Sequence, residues 1–450
     1  MITMKGDMTS GNPGRTLVKF AIPMVLGNLF QQAYNLADTM IVGKKVGANA
    51  LAAVGTCSSI TFLFIAIATG AGIGASVVIS QYFGAGKFGK MRSAIRTVML
   101  TMLAISSFIT VLGLLLHRSI LRAMNTPPEV FEDAAIYLSI YFMGVIFLFL
   151  FNTLNAIFNA LGNSKVPLLF LAFSSILNIV LDLVFVINFG LGVAGVAYAT
   201  LIAQALSAVL SFLALLIYMK KLKVQEESRY FDLEILKTVA NIAVPSIIQQ
   251  SIVSIGIVLV QALVNRYGPD VMAGYTAATK IDSVAIMPMV NIGSAMSTFT
   301  AQNIGAKKPE RVAKGLRGAL SMVWIFGLFI AGILYLYGEQ FIGFFIETGA
   351  SEKVMEVGIE YLKVVSVFYV IMGTMNNFNG VLRGAGDMKV FMIATLCNLS
   401  VRVVLAYGLA TLSGIGYHAI WWSIPIGWTV ALIVAYVRYA SGRWKNVRTV

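Results

Sequence analysis

The chain has 450 residues, of which 58% are hydrophobic and only 12% are charged, and its mean hydropathy is +0.84. Soluble proteins carry about 25% charged residues, so this composition excludes a soluble globular fold and indicates a membrane-embedded protein. With two cysteines and two histidines, the chain also lacks the residues for a disulfide framework or a Cys/His metal cluster.

Apolar runs separated by turn and charged residues predict twelve membrane-spanning helices. The runs are too long and unbroken to be membrane β-strands, which alternate over ~10 residues. The predicted spans are residues 17–43, 50–83, 94–116, 134–161, 166–189, 193–219, 236–265, 271–303, 314–337, 357–382, 389–412 and 415–438. We therefore predict an all-α membrane protein.

The basic residues are distributed unevenly between the two sides of these spans. With a cytoplasmic N-terminus, 24 of the 33 basic residues lie in cytoplasmic segments, 7 lie on the other side and 2 lie inside spans. The positive-inside rule then predicts a multi-pass protein of the inner or plasma membrane with both termini in the cytoplasm. The same bias explains the net charge of +14 by topology and lipid contact, so no nucleic-acid partner is predicted.

Two halves of the chain resemble each other at a nearly constant offset. Residues 50–87 align with 271–308 at an offset of 221, and residues 137–166 align with 361–390 at an offset of 224. The repeat distance covers six spans, an even number, so both halves cross the membrane in the same direction. This predicts two pseudo-symmetric six-helix lobes around a central cleft, related by an axis along the membrane normal.

The repeat also suggests domain boundaries and a function. We assign residues 1–219 to an N-terminal lobe, 220–236 to a cytoplasmic linker and 237–450 to a C-terminal lobe. A cleft between two such lobes is a route for a solute by alternating access, so the repeat favours a transporter. Duplication for structural reasons, without transport, is the alternative.

Ionisable side chains inside spans are candidate functional groups because they are costly in hydrocarbon. In the first span, Asp38 continues a polar stripe formed by Gln31, Tyr34 and Asn35. In the fifth span, Asn178 lies one turn before Asp182. Burial and a second nearby carboxylate both favour a protonated acid. We expect Asp38 and Asp182 to hold a proton between them, or to share Na⁺ with oxygens of Asn178 and Thr200; interhelical hydrogen bonding alone is the alternative.

The second half carries different intramembrane charges, namely Lys280, Asp282 and Arg402. At the offset of 224, Arg402 replaces Asn178 and Ala406 replaces Asp182, so the coupling site is not duplicated. We expect Asp282 or a backbone oxygen to neutralise Arg402. Structural roles and roles in binding or coupling are equally open for these residues.

Three further features complete the candidate residues. The fourth span carries Asn152 and Asn155 on one face and the tenth carries Asn376 and Asn379, where they either line the cleft or hold helices together. Pro23 can bend the first helix before its acidic residue. No Walker A sequence is present, so ATP-driven transport within the chain is not expected.

Together these features resemble the multidrug and toxic compound extrusion (MATE) transporters, over nearly the whole chain. The residues that carry the resemblance are the run from Asp38 to Gly43, the paired Gln-x-x-Gly-Ala elements after the second and eighth spans, and the Gly-x-x-Lys elements after the fourth and tenth. Because the acidic pair lies in the N-terminal half, the chain is similar to the DinF-like bacterial and archaeal branch. The resemblance implies a cation site at Asp38, Asn178, Asp182 and Thr200, and a substrate cavity lined by Gln31, Tyr34, Tyr137, Asn152 and Asn155.

The resemblance implies a monomeric antiporter, rather than an enzyme, that needs no cofactor. It would export organic, often cationic or amphipathic, small molecules from a lipid membrane in exchange for H⁺ or Na⁺. A lipid-linked oligosaccharide flippase of the same superfamily is the alternative, but it would need a cationic cavity, and only Lys280 and Arg402 are clear intramembrane cations. A membrane-embedded enzyme would need an acid or metal motif that the sequence lacks, and one cation site in two lobes suits alternation better than a channel.

Overall fold

The computed structural model describes residues 6–222, 226–345, 351–411 and 415–447, and in these ranges the protein is helical. Two π-helical turns, Val42–Val46 and Val184–Asn188, and a 3-10 turn, Arg443–Asn446, accompany the α-helices. The α-helices are α1 Pro13–Ile41, α2 Ala48–Gly84, α3 Phe88–Ala123, α4 Pro128–Ala160, α5 Lys165–Leu183, α6 Gly192–Lys221, α7 Leu233–Asn265, α8 Pro269–Gly305, α9 Pro309–Gly343, α10 Glu352–Ser366, α11 Tyr369–Ala385, α12 Met388–Ala410 and α13 His418–Ala440.

The predicted all-α fold with twelve spans is confirmed. Ten of the described helices are long and apolar enough to cross a membrane by themselves. Helix α1 supplies an eleventh span, and α10 and α11 together occupy the predicted tenth span, 357–382. That span is therefore not one continuous helix, because a turn at Val367 and Phe368 interrupts it, with the Phe368 amide bonded to the Val365 carbonyl. The turn contains neither proline nor glycine, so no sequence signal marked it.

The chain divides into two compact units. Unit 1 contains Ile22–Ile247, and its central helix is α4, which packs against α2, α3 and α6. Small residues permit this close packing: a Cβ atom at Gly113 of α3 would lie 2.0 Å from the ring of Phe142 in α4. The buried face of α4 is made of large apolar residues that include Phe149 and Leu154. Unit 1 is thus organised around one hydrophobic helix.

Unit 2 contains Asp7–Ala21 and Ile248–Val450. Its central helix is α8, which packs against α9, α10 and α11, while α13 packs against α11 and α12. The α8–α11 contact is unusually close, since a Cβ atom at Gly380 would lie 2.3 Å from the carbonyl oxygen of Gly293. Glycine at this crossing lets the two helix backbones approach each other, as small residues do in membrane helix pairs.

The N-terminal segment, defined as residues 7–12, is bound within unit 2 although it opens the first half of the chain. The Met8 amide donates to Gln302 Oε1 (3.0 Å) at the end of α8. The Arg311 guanidinium of α9 donates to the carbonyl oxygens of Ser10 (2.9 Å) and Gly11 (3.0 Å). These bonds explain why residues 7–12 group with unit 2.

The linker segment, defined as residues 226–232, is likewise bound along α3 within unit 1; residues 223–225 of the predicted linker lie outside the described residues. The Arg229 amide donates to Ser93 Oγ (2.9 Å), and the Asp232 amide donates to Thr97 Oγ1 (3.0 Å) one turn further on. Compact unit 1 therefore includes the linker segment and the first half of α7, and its limits differ from those of the sequence repeat.

The repeat seen in the sequence also appears in the backbone. Four pairs of residues at the repeat offset share a positive φ angle at the start or end of a helix. In three pairs both members are glycine, but the φ of 71° at Gly86 is matched by a φ of 57° at Lys307. Lys307 therefore keeps the left-handed turn although glycine, the residue that favours this conformation, is absent there. The pairs are Gly47 and Gly268, Gly86 and Lys307, Gly162 and Gly386, and Gly192 and Gly416.

Candidate functional site

Two carboxylates meet inside unit 1. Asp38, near the end of α1, and Asp182, near the end of α5, lie within hydrogen-bonding reach of each other. Asp182 is fully buried. Neither oxygen of Asp182, nor Oδ1 of Asp38, has a hydrogen-bond partner among the described residues. Ionised carboxylates can only accept hydrogen bonds, so a proton or a cation is the kind of group that would join these oxygens.

An amide and a hydroxyl lie beside the acid pair. Asn178, one turn before Asp182, donates from Nδ2 to Thr200 Oγ1 of α6 at 3.2 Å. This bond fixes the orientation of the amide and leaves its Oδ1 buried with no partner in the described part of the chain. Unit 1 therefore brings together Asp38, Asn178, Asp182 and Thr200, and four of their oxygen atoms accept no hydrogen bond from the residues that the structure describes.

Tyrosines border the acid pair. The Tyr34 hydroxyl is within hydrogen-bonding reach of Gln31, and both Tyr34 and Tyr137 lie close enough to Asp38 to interact with it electrostatically. A small cavity adjoins Thr200, with about 10 Å³ of space for the centre of a water molecule. That is room for about one water molecule. Its polar lining is Tyr137, Tyr141, Thr200 and Gln204.

For the remaining predicted residues of unit 1, no contact with the acid pair is seen in the described part of the chain. Asn152 donates to the Leu148 carbonyl of its own helix at 2.8 Å, and the Oδ1 atom of Asn155 is buried with no partner in the described ranges. Gln31 is exposed. Pro23 lies buried within α1, which remains helical through it.

A π-helical turn follows each of the two acids. Val42 and Val186 lie four residues after Asp38 and Asp182, one in each π-helical turn, and both valines are buried. They pack in one apolar cluster with Ala50, Val193 and Val196. The sequence pattern predicted neither turn, because a single extra residue in a helical turn leaves the hydrophobic period nearly unchanged. The cluster gives the acid pair an apolar, water-excluding neighbour, and π-helical turns often occur at functional sites.

In unit 2, the intramembrane carboxylate of Asp282 has hydrogen-bond donors beside it. Asp282 of α8 accepts hydrogen bonds from Tyr369 Oη (2.6 Å) and Tyr361 Oη (3.4 Å). Arg402 lies close enough to interact electrostatically with Asp282, but the described residues include no direct ion pair between them. The expected neutralisation of Arg402 by Asp282 or a backbone oxygen stays a prediction, and the electrostatic interaction between Arg402 and Asp282 supports it. Lys280 is exposed, two residues away on the same helix.

The amides of the tenth predicted span lie on α11. Asn376 donates to the Met372 carbonyl at 3.1 Å, and Asn379 is buried with an Oδ1 atom that has no partner in the described chain. No sequence pattern marks Tyr369 or Tyr141 as functional. Tyr361 was visible as the repeat counterpart of Tyr137, but Tyr369 has no such signal.

Comparison with known proteins identifies a family of membrane transporters over most of the chain. The family model described as MatE matches residues 23–184 and 245–408. A probable multidrug resistance protein, YpnP of Bacillus subtilis, is 30% identical over 98% of both chains. An FAD transporter of Shewanella oneidensis is 24% identical over 89% of this chain and 88% of its own. A solved structure, an outward-facing multidrug resistance MATE family transporter of the MOP superfamily, matches with a TM-score of 0.91 and 27% identity over 99% of this chain and 100% of the other. The chain therefore belongs to the MatE family of membrane transporters, as a multi-pass protein of the plasma membrane that moves small molecules and is not an enzyme.

Proposed function

We propose that the protein is a secondary active antiporter that exports organic, often amphipathic, compounds in exchange for H⁺ or Na⁺. The observation that carries this proposal is the acid pair of unit 1, where three buried carboxylate oxygens and the neighbouring Asn178 Oδ1 accept no hydrogen bond from the described residues. A proton would supply the missing donor between Asp38 and Asp182, and Na⁺ would be ligated by these carboxylates with Asn178 and Thr200. Either ion removes negative charge from a water-poor site.

Ion binding at this pair would couple to the shape of unit 1. The pair joins α1 to α5, and each helix continues into a π-helical turn of the same apolar cluster. When the oxygens lose their ion, repulsion between two desolvated carboxylates favours their separation. We expect this to change the packing of α1, which also carries Gln31 and Tyr34 of the proposed substrate cavity. Tyr137, Asn152 and Asn155 of α4 are the other proposed contacts with the substrate.

The energy of one coupling ion suffices for export. One elementary charge moving through the membrane potential releases ~2.3 kcal/mol per 100 mV. Since 1.4 kcal/mol corresponds to a factor of ten, this supports about a 50-fold concentration gradient. The proposed site is complete within one chain, so we propose a working monomer. The positive-inside bias supports cytoplasmic termini, and the acid pair in the first half supports a place in the DinF-like branch.

Transport into proteoliposomes under separate H⁺ and Na⁺ gradients tests the coupling role. We expect Asp38→Asn and Asp182→Asn each to abolish accumulation of a fluorescent organic substrate against its gradient. Asp133→Asn, the same change elsewhere in unit 1, should accumulate the substrate like wild type. Uphill transport by Asp38→Asn at the wild-type level would refute the coupling role of the pair.

A change at Thr200 identifies the ion. Thr200→Val removes a hydroxyl that would ligate Na⁺ but that a shared proton does not require. If Na⁺ is the coupling ion, the Na⁺ concentration for half-maximal transport should rise about tenfold, as expected for losing one of a few oxygen ligands. If H⁺ is the coupling ion, proton-driven transport should persist in the same variant.

A further inference from the structure

The linker segment and the first residue of α7 carry large apolar side chains that are exposed. Tyr230 is 76% exposed, Phe231 is 48% exposed and Leu233 is 57% exposed. These three residues are the apolar patch. Connections between helices are usually polar, because exposed apolar area is costly in water. Adjacent exposed apolar side chains of this size mark a surface that binds a partner.

The main chain is fixed on both sides of the two aromatic residues. The Arg229 amide donates to Ser93 Oγ (2.9 Å) and the Asp232 amide donates to Thr97 Oγ1 (3.0 Å), and both acceptors lie on α3. Residues 230–231 lie between these two hydrogen bonds. The fold itself therefore sets the exposure of the aromatic side chains, because the backbone that carries them is held against α3.

Two of the three acids of the linker segment are bound to main-chain amides of unit 1. The Glu226 carboxylate accepts from the Gly89 amide at 2.6 Å. The Asp232 carboxylate accepts from the Ile235 amide at 3.2 Å, at the start of α7. The third acid, Glu227, is exposed. The linker segment thus combines anchored polar groups with an exposed apolar patch.

Arg96 of α3 connects the apolar patch to an exposed face of that helix. Its guanidinium lies over the Tyr230 ring, 4.4 Å from the ring centroid, and its Nη1 donates to Ser228 Oγ at 3.2 Å. Leu100 and Leu103 follow Arg96 by four and seven residues, so all three lie on one face of α3. Both leucines are 48% exposed. Tyr230 therefore continues a row of exposed apolar side chains that runs along a membrane span.

The apolar patch lies at the level where the spans begin. The predicted span of α3 begins at residue 94, between Ser93 and Thr97, and the predicted span of α7 begins at residue 236. A helix rises about 1.5 Å per residue, so Ser93 and Thr97 are about 6 Å apart along α3. Residues 230–231 are thus held within about one helical turn of the hydrocarbon border. Tyrosine is enriched at this border, where its ring contacts hydrocarbon and its hydroxyl contacts headgroups.

We propose that the linker segment binds the surface of the phospholipid bilayer through the apolar patch, with Arg96 beside the lipid phosphates. The bilayer fits this surface because the patch continues the exposed face of α3 at the headgroup level. Arg96 forms no ion pair within the described residues, and a guanidinium matches the geometry of a phosphate. The proposal goes beyond the proposed export function. It makes the linker segment an anchor that holds the start of α7 at the membrane surface.

Nitroxide spin labels test whether the apolar patch faces lipid or water. Labels at Phe231→Cys and Glu227→Cys are compared in a Cys57→Ala, Cys397→Ala background, in vesicles of phosphatidylcholine and phosphatidylglycerol. Oxygen is the collision partner that enters the bilayer, and nickel(II) ethylenediaminediacetate is the one that stays in water. The ratio of oxygen to nickel collisions should be severalfold higher at position 231 than at position 227. A label at Leu103→Cys, inside the span, should give the highest ratio.

A pair of substitutions on α3 tests whether the hydrogen bonds hold the linker segment at this level. Ser93→Ala combined with Thr97→Val removes the two side-chain acceptors of the linker amides. The label at position 231 should then become more mobile, and its collision ratio should fall toward that of position 227. Thr110→Val removes another hydroxyl of α3, which donates to a carbonyl oxygen of α4 at 3.0 Å, and should leave the label unchanged.

Three outcomes would overturn the proposal. Equal collision ratios at positions 231 and 227 would mean that the apolar patch faces water. Exclusion of both reagents from position 231 would mean that protein covers the patch, and spin–spin broadening would then identify a second copy of this chain. An unchanged label in Ser93→Ala with Thr97→Val would refute the anchoring by α3. The measurements need no substrate or ion gradient, so their failure leaves the proposed export function standing, and a failure of export leaves the anchor standing.

Discussion

Replacing Asp182 with asparagine should raise the thermal stability of the purified protein, whereas the same change at Asp282 should lower it. Asp182 is a buried carboxylate whose oxygens accept no hydrogen bond from the described residues and face Asp38. Two unit charges ~4 Å apart repel by up to about 4 kcal/mol at an effective dielectric constant of 20, and a shared proton reduces this. The amide introduced by Asp182→Asn would also donate to Asp38. We expect a net gain of about 1 to 2 kcal/mol.

At Asp282 the same substitution should lower the stability, because the carboxylate oxygens accept hydrogen bonds from Tyr369 and Tyr361. Asp282→Asn replaces the charge-assisted bond from Tyr369 with a weaker neutral one, and such bonds contribute about 1.5 to 3 kcal/mol. It also removes the anion nearest to Arg402. A neutral bond still contributes about 0.5 to 1.5 kcal/mol, so we expect a loss of about 1 kcal/mol from the first effect alone.

The measurement is thermal unfolding of both variants and wild type in one detergent at one pH, followed by circular dichroism. Uphill transport should fall in Asp182→Asn although the protein becomes more stable, because the site is built for ion binding and not for stability. A decrease in the unfolding temperature of Asp182→Asn as large as that of Asp282→Asn would refute the reasoning. It would mean that the Asp182 oxygens are satisfied, for instance by bound water.

Three further predictions concern the ends and crossings of helices. Arg311→Ala removes the hydrogen-bond donors to Asn303, Met8, Ser10 and Gly11. The free energy that protects the amides of residues 7–12 from hydrogen exchange should therefore fall by about 2 to 4 kcal/mol. Arg311→Lys should retain only part of this protection. Gly380→Ala places a Cβ 2.3 Å from the Gly293 carbonyl oxygen, so it should lower the unfolding temperature, whereas Gly408→Ala, with open space around it, should not. Burial would raise the pKa of Asp7, but hydrogen bonds from Thr9 and Ser10 and the charge of Lys308 outweigh it and hold the pKa below its usual value. The contribution of Asp7 to the stability of this segment is therefore complete above about pH 4 and is lost as the pH falls through the lowered pKa. The protection factors of residues 7–12, taken relative to intrinsic exchange at each pH, should therefore fall in acid for wild type and stay constant in Asp7→Asn.

Much of the fold follows from patterns that have one dominant physical cause. Hydrocarbon thickness sets the length of each apolar run, so the twelve spans were visible in the sequence. The interruption between α10 and α11 was not, because Ser366, Val367 and Phe368 are apolar or small and continue the run without a breaker. The binding of residues 7–12 and 226–232 also left no sequence signal, since it depends on main-chain groups meeting Gln302, Arg311 and Ser93 across long distances in sequence.

The candidate site was predictable to a similar extent. A charged residue in a span is rare enough to stand out by itself, so Asp38, Asp182 and Arg402 could be named from the sequence. Which partner each one takes depends on side-chain geometry, which the sequence does not give. Tyrosines are common in apolar helices, so nothing marked Tyr369 as the hydrogen-bond donor to Asp282.

The two halves of the chain show which properties a duplicated membrane fold keeps. Backbone geometry persists even where the favourable residue is lost, since Lys307 keeps the left-handed turn of Gly86. Intramembrane charge does not persist: Arg402 replaces Asn178 and Ala406 replaces Asp182 at the same offset. Packing constrains the backbone at every helix crossing. A buried charge, in contrast, is retained only where its role offsets the free-energy cost of removing it from water. We therefore propose that the acids of unit 1 serve the driving ion, a role that the corresponding positions of unit 2 do not repeat.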